Sequence, residues 1–353
     1  MDYTLHQRGR ASVEFLVDLG IEAVRLEKTA DEYAEAAGLT TMELPEDLDE
    51  LQAKVTPVMQ DCLDFRIFRV VREWQLDQHG LIAMDAFDEM RPDIETMIQA
   101  LQEGPTRIQY AQNLKAPDYW DGYEFHRSAG GWGGHDCMGF VHGEIIHRKM
   151  VSNHLADVIM GQRRAAAKMP PVENPEKILD MGCGSAQYTQ GLAEAFPDAE
   201  IWGCDLSSRQ LEEAQRRANE KGLTWHLFEA AAEDTGLESN QFDLVTSYAI
   251  FHEFPSSVAR EVLQETLRLL KPGGVTLMGD VKAYHAHDDY NRWKADFLNQ
   301  IHGGDPFWRE YATTDLATMA TEAGFVEAEW FGVGDNQYPF VLIAKKPDER
   351  KTT

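Results

Sequence analysis

The stretch that decides the fold runs from residue 178 to residue 207 and reads ILDMGCGSAQYTQGLAEAFPDAEIWGCDLS. An apolar run leads into Gly182 and Gly184 and then into a segment with helical spacing of apolar residues. Glycines at such a strand-to-helix turn allow a tight bend and let a ligand approach the backbone. A second carboxylate, Asp205, closes the next predicted strand, where an acid can bind both ribose hydroxyls. The stretch therefore predicts a site for a ribose-bearing ligand.

The two carboxylates also bear on which ligand this is. A nicotinamide dinucleotide would match GxGxxG, but Gln187 stands at the third glycine position. Asp180, two residues before the first glycine, would repel a pyrophosphate and would suit an ammonium or a sulfonium group. S-adenosylmethionine carries both of these groups and no phosphate. We therefore expect S-adenosylmethionine as cofactor, with S-adenosylhomocysteine as its product.

The chain after residue 176 alternates between strand and helix patterns, which predicts a parallel sheet covered by helices. The predicted strands are 177–182, 200–207, 224–230, 242–249 and 275–281, and the predicted helices are 185–196, 209–222 and 259–274. Before this region the pattern is helical, and the predicted helices are 11–26, 45–76, 86–104 and 139–169. Residues 116–135 interrupt it as a loop rich in glycine and aromatic residues.

Several of these segments resemble the class I S-adenosylmethionine-dependent methyltransferases over roughly residues 150–345. The matching segments are ILDMGCGSA (178–186), WGCDLS (202–207), FDLVTSYAIFHEF (242–254), LRLLKPGGVTLMGD (267–280) and the closing hairpin 322–346. The resemblance implies an α/β fold with a Rossmann-like, mostly parallel seven-stranded sheet in residues 166–353. Residues 1–165 would form an all-helical N-terminal domain for dimerisation and for a lid over the substrate.

The resemblance also implies which residues bind the cofactor. They are Asp180, Gly182, Gly184, Asp205, Leu206, Ala232, Glu233 and Ser247. Two positions depart from the family pattern: Ala186 takes the third small position, and Ala231 stands where an acid usually contacts adenine. That contact passes to Glu233, to Asp234 or to backbone groups around Ala232.

His252 is the candidate catalytic residue on the acceptor side. It follows the predicted strand 242–249, at the strand end where ligands bind in open α/β sheets. It resembles the general-base histidine of plant-type small-molecule O-methyltransferases, and Glu253 would orient it. The alternative interpretation is that His252 only caps or packs against the next helix.

Two segments are predicted to enclose the acceptor, the loop 116–135 and residues 283–311. Their side chains, together with Tyr248, give the predicted substrate-binding set: Tyr123, His126, Arg127, Trp132, Tyr248, Trp293 and Trp308. Arg127 would hold an acceptor carboxylate, and aromatic rings would stabilise a cation. The aromatic residues are equally consistent with ordinary helix packing.

The same loop and the residues after it contain candidate metal ligands. They fall within residues 126–147 and are His126, His135, Cys137, His142 and His147. Their spacings match no zinc signature, so we expect no metal.

Composition narrows the partners of the chain. The net charge of −27 and the pI near 4.7 would repel phosphate groups, so we expect neither nucleic acid nor a membrane surface as partner. Four scattered cysteines indicate no disulfide framework and favour the reducing cytoplasm. The helical residues 1–110 predict a homodimer.

The sequence therefore predicts a methyltransferase that transfers a methyl group to an oxygen or sulfur atom of a small-molecule acceptor by in-line displacement. The alternative hypothesis is a non-catalytic protein that binds S-adenosylmethionine and uses its helical half for regulation or interaction with a partner.

Overall fold

The computed structural model describes residues 3–151 and 158–348 of the 353-residue chain. Within that part, eight strands form one sheet in the order β1-β4-β3-β2-β5-β6-β8-β7. Strand pairs are parallel except for those that β8 makes with β6 and β7. The strands are β1 Arg107–Gln109, β2 Lys177–Met181, β3 Glu200–Asp205, β4 His226–Glu229, β5 Phe242–Tyr248, β6 Leu270–Asp280, β7 Val326–Gly332 and β8 Phe340–Lys345.

Helices surround the sheet and form most of the N-terminal region. They are α1 Gln7–Ala36, α2 Leu48–Gln60, α3 Leu63–Gln102, α4 Met138–Phe140, α5 Val158–Ala166, α6 Gln187–Ala195, α7 Ser208–Glu220, α8 Ser256–Leu269, α9 Asp289–Ala295, α10 Trp308–Thr313 and α11 Leu316–Ala323. Two π-helical segments, Val141–Val151 and Asp296–Ile301, continue α4 and α9. None of the described helices is long and apolar enough to cross a bilayer.

The predicted α/β fold, with a mostly parallel sheet, a helical N-terminal region and a closing antiparallel hairpin, is confirmed. The sheet nevertheless has eight strands in the described chain and not seven, because β1 pairs with β4. Thr106 secures this pairing: its hydroxyl donates to the Leu223 carbonyl and accepts the Trp225 N–H, both at 2.9 Å. Residues 1–165 are therefore not all-helical, and one of their segments belongs to the sheet.

The N-terminal helices differ from their predicted bounds. The predicted helix 45–76 divides at residues 61–62, and α3 then runs without interruption to Gln102, through Pro92. Predicted helix 139–169 appears as α4, its π-helical continuation and α5, while residues 152–157 lie outside the described part.

The segment after β6 joins the two halves of the molecule. Trp293 and Phe297, from α9 and its π-helical continuation, are fully buried among side chains of the N-terminal helices. This packing fixes the following residues 302–308 over the carboxyl ends of the parallel strands, where the loop 116–135 also lies.

Candidate active site

A cavity of about 670 Å³ lies at the carboxyl ends of β2, β3 and β5. Its walls come from the glycine turn after β2, the turn after β5, the loop 116–135 and residues 299–308. In an open α/β sheet this edge is where ligands bind, because loops from neighbouring strands separate there. The cavity is therefore the candidate active site.

The glycine turn leaves space for a ligand at one point. Gly182 and Gly184 have φ values of +64° and +52°, which residues with a side chain rarely adopt. A Cβ at Gly182 would lie 2.7 Å from the Ile250 side chain, whereas a Cβ at Gly184 would have no atom within 4 Å. Asp205 fixes the turn, since its carboxylate oxygens accept the N–H groups of Gly184 and Ser207, each at 2.8 Å. Open space beside a rigid turn is what a bound ligand requires.

Asp180 places an unsatisfied carboxylate oxygen in the cavity wall. Its Oδ2 accepts the Thr189 hydroxyl at 2.6 Å, while its buried Oδ1 has no hydrogen-bond partner among the described residues. Burial, and to a lesser degree the Asp205 carboxylate, raises the pKa of Asp180 to about 7. A buried acceptor without a donor is costly, so this oxygen calls for a cationic or hydrogen-bonding ligand group.

Arg163, which sequence reasoning missed, lines the same cavity. Its guanidinium lies 5.3 Å from the centre of the Tyr248 ring, and burial lowers its pKa although the Asp180 carboxylate acts in the opposite direction. The sequence signal was only a basic pair within a predicted helix, which is more often a solvated helix face. A cation and a carboxylate in the lining of one cavity can bind the two charged groups of an amino acid.

The cavity lining also includes part of the predicted adenosine contacts. Leu206 and Ala232 line the cavity, but Glu233 and Ser247 do not. Glu233 instead accepts the hydroxyl of Tyr119 at 2.8 Å, and Ser247 is fully buried within β5. The aromatic ring of Tyr119 lines the cavity where the sequence had suggested an acidic contact.

A further part of the cavity lining, called the acceptor end below, consists of His126, His252 and Glu253. The Nδ1 of His252 lies 2.6 Å from Oδ1 of Asp280, at the end of β6. The Nδ1 of His126 lies 2.8 Å from Oδ1 of Asp305. Both rings direct Nε2 toward Glu253, whose Oε1 lies 3.5 Å from that of His126 and 3.9 Å from that of His252. Sequence reasoning missed both aspartates, although Asp280 lies one residue before the end of the predicted strand 275–281.

Aromatic side chains frame this group. Trp132 donates its indole N–H to Oε2 of Glu253 at 3.0 Å. The Trp308 ring lies 5.2 Å from the imidazole of His252, and Tyr248 also lines the cavity. His126 has a φ of +55°, a conformation that a non-glycine residue keeps only when its surroundings enforce it. These contacts hold the polar atoms in fixed positions.

Three predicted substrate-binding residues lie elsewhere. Trp293 is fully buried and donates its indole N–H to Thr56, so it belongs to the core of the helical region. Arg127 forms a two-pronged ion pair with Asp77, at 2.7 and 2.8 Å, which leaves it outside the cavity lining. Tyr123 is exposed and packs on the ring of Phe307, 5.7 Å away.

The charges at the acceptor end raise the pKa of both histidines. Burial by itself would lower the pKa of His126, but the Asp305 and Glu253 carboxylates raise it to about 10. Burial likewise opposes protonation of His252, yet Asp280 keeps its pKa above the usual value. The rings therefore lie in a strongly negative environment that favours cations.

Comparison with known proteins gives the family. A family model described as a methyltransferase domain matches residues 178–274. The demethylmenaquinone methyltransferase of Anoxybacillus flavithermus is 30% identical over 241 residues, which cover 59% of this chain and 98% of that protein. The chain belongs to the class I S-adenosylmethionine-dependent methyltransferases. It is an enzyme of this family, and S-adenosylmethionine is its methyl donor.

Two further similarities are more limited. The ubiquinone biosynthesis O-methyltransferase of Haemophilus ducreyi is 33% identical over 118 residues, 31% of this chain and 48% of that protein. A Thermotoga maritima structure described as a S-adenosylmethionine-dependent methyltransferase, possible histamine N-methyltransferase, covers 60% of this chain and 99% of its own at 17% identity and a TM-score of 0.44.

The cavity of this methyltransferase fits the donor in two respects. Oδ1 of Asp180 offers an acceptor to an ammonium or sulfonium group, and the open space beside Gly184 admits a ligand against the backbone. The lining of the same cavity also includes His126, His252 and Glu253.

Proposed function

We propose that this methyltransferase methylates an oxygen atom of a small-molecule acceptor. The observation that carries the proposal is the group of polar atoms at the acceptor end. His252 and Glu253 line the cavity there, where they would form hydrogen bonds with an acceptor hydroxyl. The names of the two relatives, demethylmenaquinone methyltransferase and ubiquinone biosynthesis O-methyltransferase, both refer to quinones and support an aromatic acceptor. A cavity of about 670 Å³ lined by tryptophan and tyrosine suits such a ring.

The donor side of the proposal assigns each charged group. Asp180 binds the ammonium and Arg163 the carboxylate of the methionine part, while Asp205 accepts the ribose hydroxyls through its remaining lone pairs. Tyr119 packs beside the adenosine in place of an acidic contact. When bound, S-adenosylmethionine supplies a methyl group on a positively charged sulfur.

The acceptor side of the proposal describes an in-line displacement. The hydroxyl loses its proton at the polar group formed by His252 and Glu253, and an oxygen lone pair forms the new bond to the methyl carbon. The carbon–sulfur bond breaks as its electron pair passes to sulfur, which neutralises the sulfonium. The enzyme contributes mainly position, since the methyl group is already activated.

The test compares acceptors of matched shape. A panel of phenols, hydroxyquinones and their aryl-thiol counterparts is assayed for S-adenosylhomocysteine release at pH 8. We expect turnover of the oxygen acceptors, and His252→Ala should lower it by roughly 10²–10⁴-fold without changing cofactor affinity. Reaction of thiols alone would assign the acceptor atom to sulfur and end the proposal.

We also propose that residues 1–165 close the acceptor side and form a homodimer interface along α3. Exposed apolar side chains follow one face of α3 at spacings of three, four and seven residues, and Phe15 of α1 packs beside this face on Trp74. Such a seam matches the pattern by which helices associate. The seam residues of α3 are Leu63, Ile67, Val70, Trp74 and Leu81.

Light scattering tests the dimer. The wild-type chain should have twice its mass of 40.0 kDa at micromolar concentration, and Val70→Glu should give the monomer. Val326→Glu places the same change on an exposed valine of β7 and should leave the dimer intact. A monomeric wild type would contradict the proposal.

For the compartment, we propose the cytoplasm. All four cysteines are buried free thiols, which a reducing compartment preserves. Secretion of the native protein with its thiols oxidised would contradict this assignment.

A further inference from the structure

The acceptor end holds three metal-ligating side chains that come from two separate turns. His126 belongs to the turn Phe125–Arg127, and His252 and Glu253 belong to the turn Phe251–Glu253. One donor atom from each of these side chains lies within 4.8 Å of the other two. All three side chains line the cavity, so the space that their donor atoms face is open to the acceptor.

The second nitrogen of each histidine is already held by a buried carboxylate. Asp280 and Asp305 are 2% and 4% exposed at their side chains, and they lie 2.6 and 2.8 Å from the Nδ1 atoms. Histidines that bind metals show this arrangement, because a carboxylate on one ring nitrogen orients the other and makes it a stronger ligand. It leaves the two Nε2 atoms on the cavity side, where a metal ion would displace the proton of each ring on binding.

Glu253 completes the set in a similar way. Its Oε2 accepts the Trp132 indole N–H at 3.0 Å, which orients the carboxylate and leaves Oε1 facing the histidines. Oε1 lies 3.5 and 3.9 Å from the two Nε2 atoms. Ligand atoms on one tetrahedral ion with bonds of about 2.0–2.1 Å lie about 3.3 Å apart, so small side-chain rotations close the site.

The charges of the surrounding side chains also favour a bound cation. Three carboxylates, those of Glu253, Asp280 and Asp305, surround two imidazoles in a largely buried space. Arg72, on the same cavity wall, interacts with Asp305 and offsets only part of this charge. With both imidazoles deprotonated at Nε2, as ligation requires, the carboxylates leave negative charge that an ion of charge two would neutralise.

We propose that His126, His252 and Glu253 bind a divalent transition-metal ion that holds the acceptor through its oxygen atoms. Two imidazole nitrogens and one carboxylate oxygen suit Zn²⁺ or Fe²⁺ more than Mg²⁺ or Ca²⁺, and they leave further positions free on the cavity side. An acceptor with two adjacent oxygens, such as an ortho-dihydroxy ring, would occupy those positions. This inference replaces the expectation of no metal, and it rests on the proposed oxygen acceptor.

The ion changes the role of His252 from a proton acceptor to a ligand. As a Lewis acid it lowers the pKa of the acceptor hydroxyl, so that the proton leaves to solvent water. The resulting oxygen lone pair forms the bond to the methyl carbon while the carbon–sulfur electron pair returns to sulfur. Oxidation states do not change, and no further reactant is required.

Metal binding by the full chain is the first test. Protein freed of metal with a chelator is titrated with Zn²⁺ by calorimetry, and Co²⁺ is added as a spectroscopic probe. We expect one ion per chain and a visible Co²⁺ spectrum typical of nitrogen and oxygen ligands. His126→Ala and Glu253→Gln should each weaken Zn²⁺ binding at least 100-fold, and Asp305→Asn should weaken it about 10- to 100-fold.

His226→Ala is the control, since this half-exposed histidine lies on β4 outside the cavity lining. Thermal unfolding and S-adenosylhomocysteine affinity should remain close to wild type in the control and in Glu253→Gln, which shows that the variants fold. Absence of stoichiometric binding, or equal Zn²⁺ affinity in the ligand variants and the control, would overturn the proposal.

Activity separates this inference from the proposed function. If metal-free enzyme methylates a phenol at the rate of the metal-loaded enzyme, the metal proposal fails and the oxygen acceptor stands. If the ion binds as expected but only thiols react, the metal site stands and the oxygen acceptor fails.

Discussion

Replacement of Asp205 with alanine tests how the enzyme holds its donor. The carboxylate accepts two backbone N–H groups at 2.8 Å, and we propose that its other lone pairs accept the ribose hydroxyls. A hydrogen bond to a charged group contributes roughly 1.5–3 kcal/mol, and the loss of one or two to the ribose should cost about 2–4 kcal/mol of binding. That corresponds to a roughly 30- to 1000-fold weaker Kd for S-adenosylhomocysteine.

The same substitution also destabilises the glycine turn, because the Gly184 N–H loses its hydrogen-bond acceptor. The variant should therefore unfold at lower temperature in the absence of ligand, and S-adenosylhomocysteine should restore less of its stability than in the wild type. Calorimetry at pH 8 gives the affinity, well above the pKa of about 6 to which burial raises the Asp205 carboxyl. Asp198→Ala, an exposed aspartate before β3, is the matched control.

Two outcomes would refute this reasoning. One is a Kd for S-adenosylhomocysteine within about threefold of wild type in a folded Asp205→Ala variant, since the scale of such hydrogen bonds excludes it. The other is NAD binding to the wild type as tightly as S-adenosylhomocysteine, because the unpartnered Oδ1 of Asp180 should repel a pyrophosphate.

Four further predictions concern pH, packing and the glycine turn. Because burial raises the pKa of Asp180 to about 7 from 3.8, calorimetry should show S-adenosylhomocysteine affinity falling from pH 8 to pH 6, and Asp180→Asn should flatten that dependence. Over the same range this group should make the ligand-free protein more stable to heat as pH falls, since the folded state binds the proton more tightly than the unfolded state. Trp293→Ala should lower the free energy of unfolding in urea by about 3–5 kcal/mol and leave cofactor affinity unchanged, and an affinity loss would return Trp293 to the site. Gly182→Ala should weaken S-adenosylhomocysteine binding, because the new Cβ would clash with the Ile250 side chain. Gly236→Ala, at a φ of +69° with open space around it, should lower only stability. Equal affinities of the two variants for S-adenosylhomocysteine would contradict this prediction.

The sheet could be predicted from the sequence because each central strand is a short apolar run next to a glycine or an acid. The positions of the glycine turn and its two carboxylates, within residues 178–207, follow from the same local signals. β1 carries no such signal: it has three residues, Arg107–Gln109, and none of its side chains is buried. Its pairing depends on Thr106 and on the distant residues after α7, which no local pattern reveals.

The closeness of Asp180, the glycine turn and Asp205 could be predicted for a related reason. Asp180, the glycines and Asp205 lie within thirty residues, so one turn and two adjacent strands bring them together. The sequence does not reveal that Glu233 accepts the hydroxyl of Tyr119, which lies 114 positions away along the chain. The contacts that a polar side chain makes depend on such distant partners.

The acceptor end shows where sequence reasoning stops. His126 and Trp293 both belong to segments rich in aromatic and polar residues. His126 nevertheless lines the cavity, whereas Trp293 packs in the core. The donor atoms of His126 and His252 meet only because the loop 116–135 and the turn after β5 pack against residues 302–308, and Asp305 in that segment orients His126. The proposed metal site comes from turns 126 positions apart along the chain, so no ligand spacing within residues 126–147 could indicate it. Since the proposed acceptor walls come from loops outside the strands proposed to hold the donor, we expect changes in those loops to alter the acceptor while S-adenosylmethionine binding is retained.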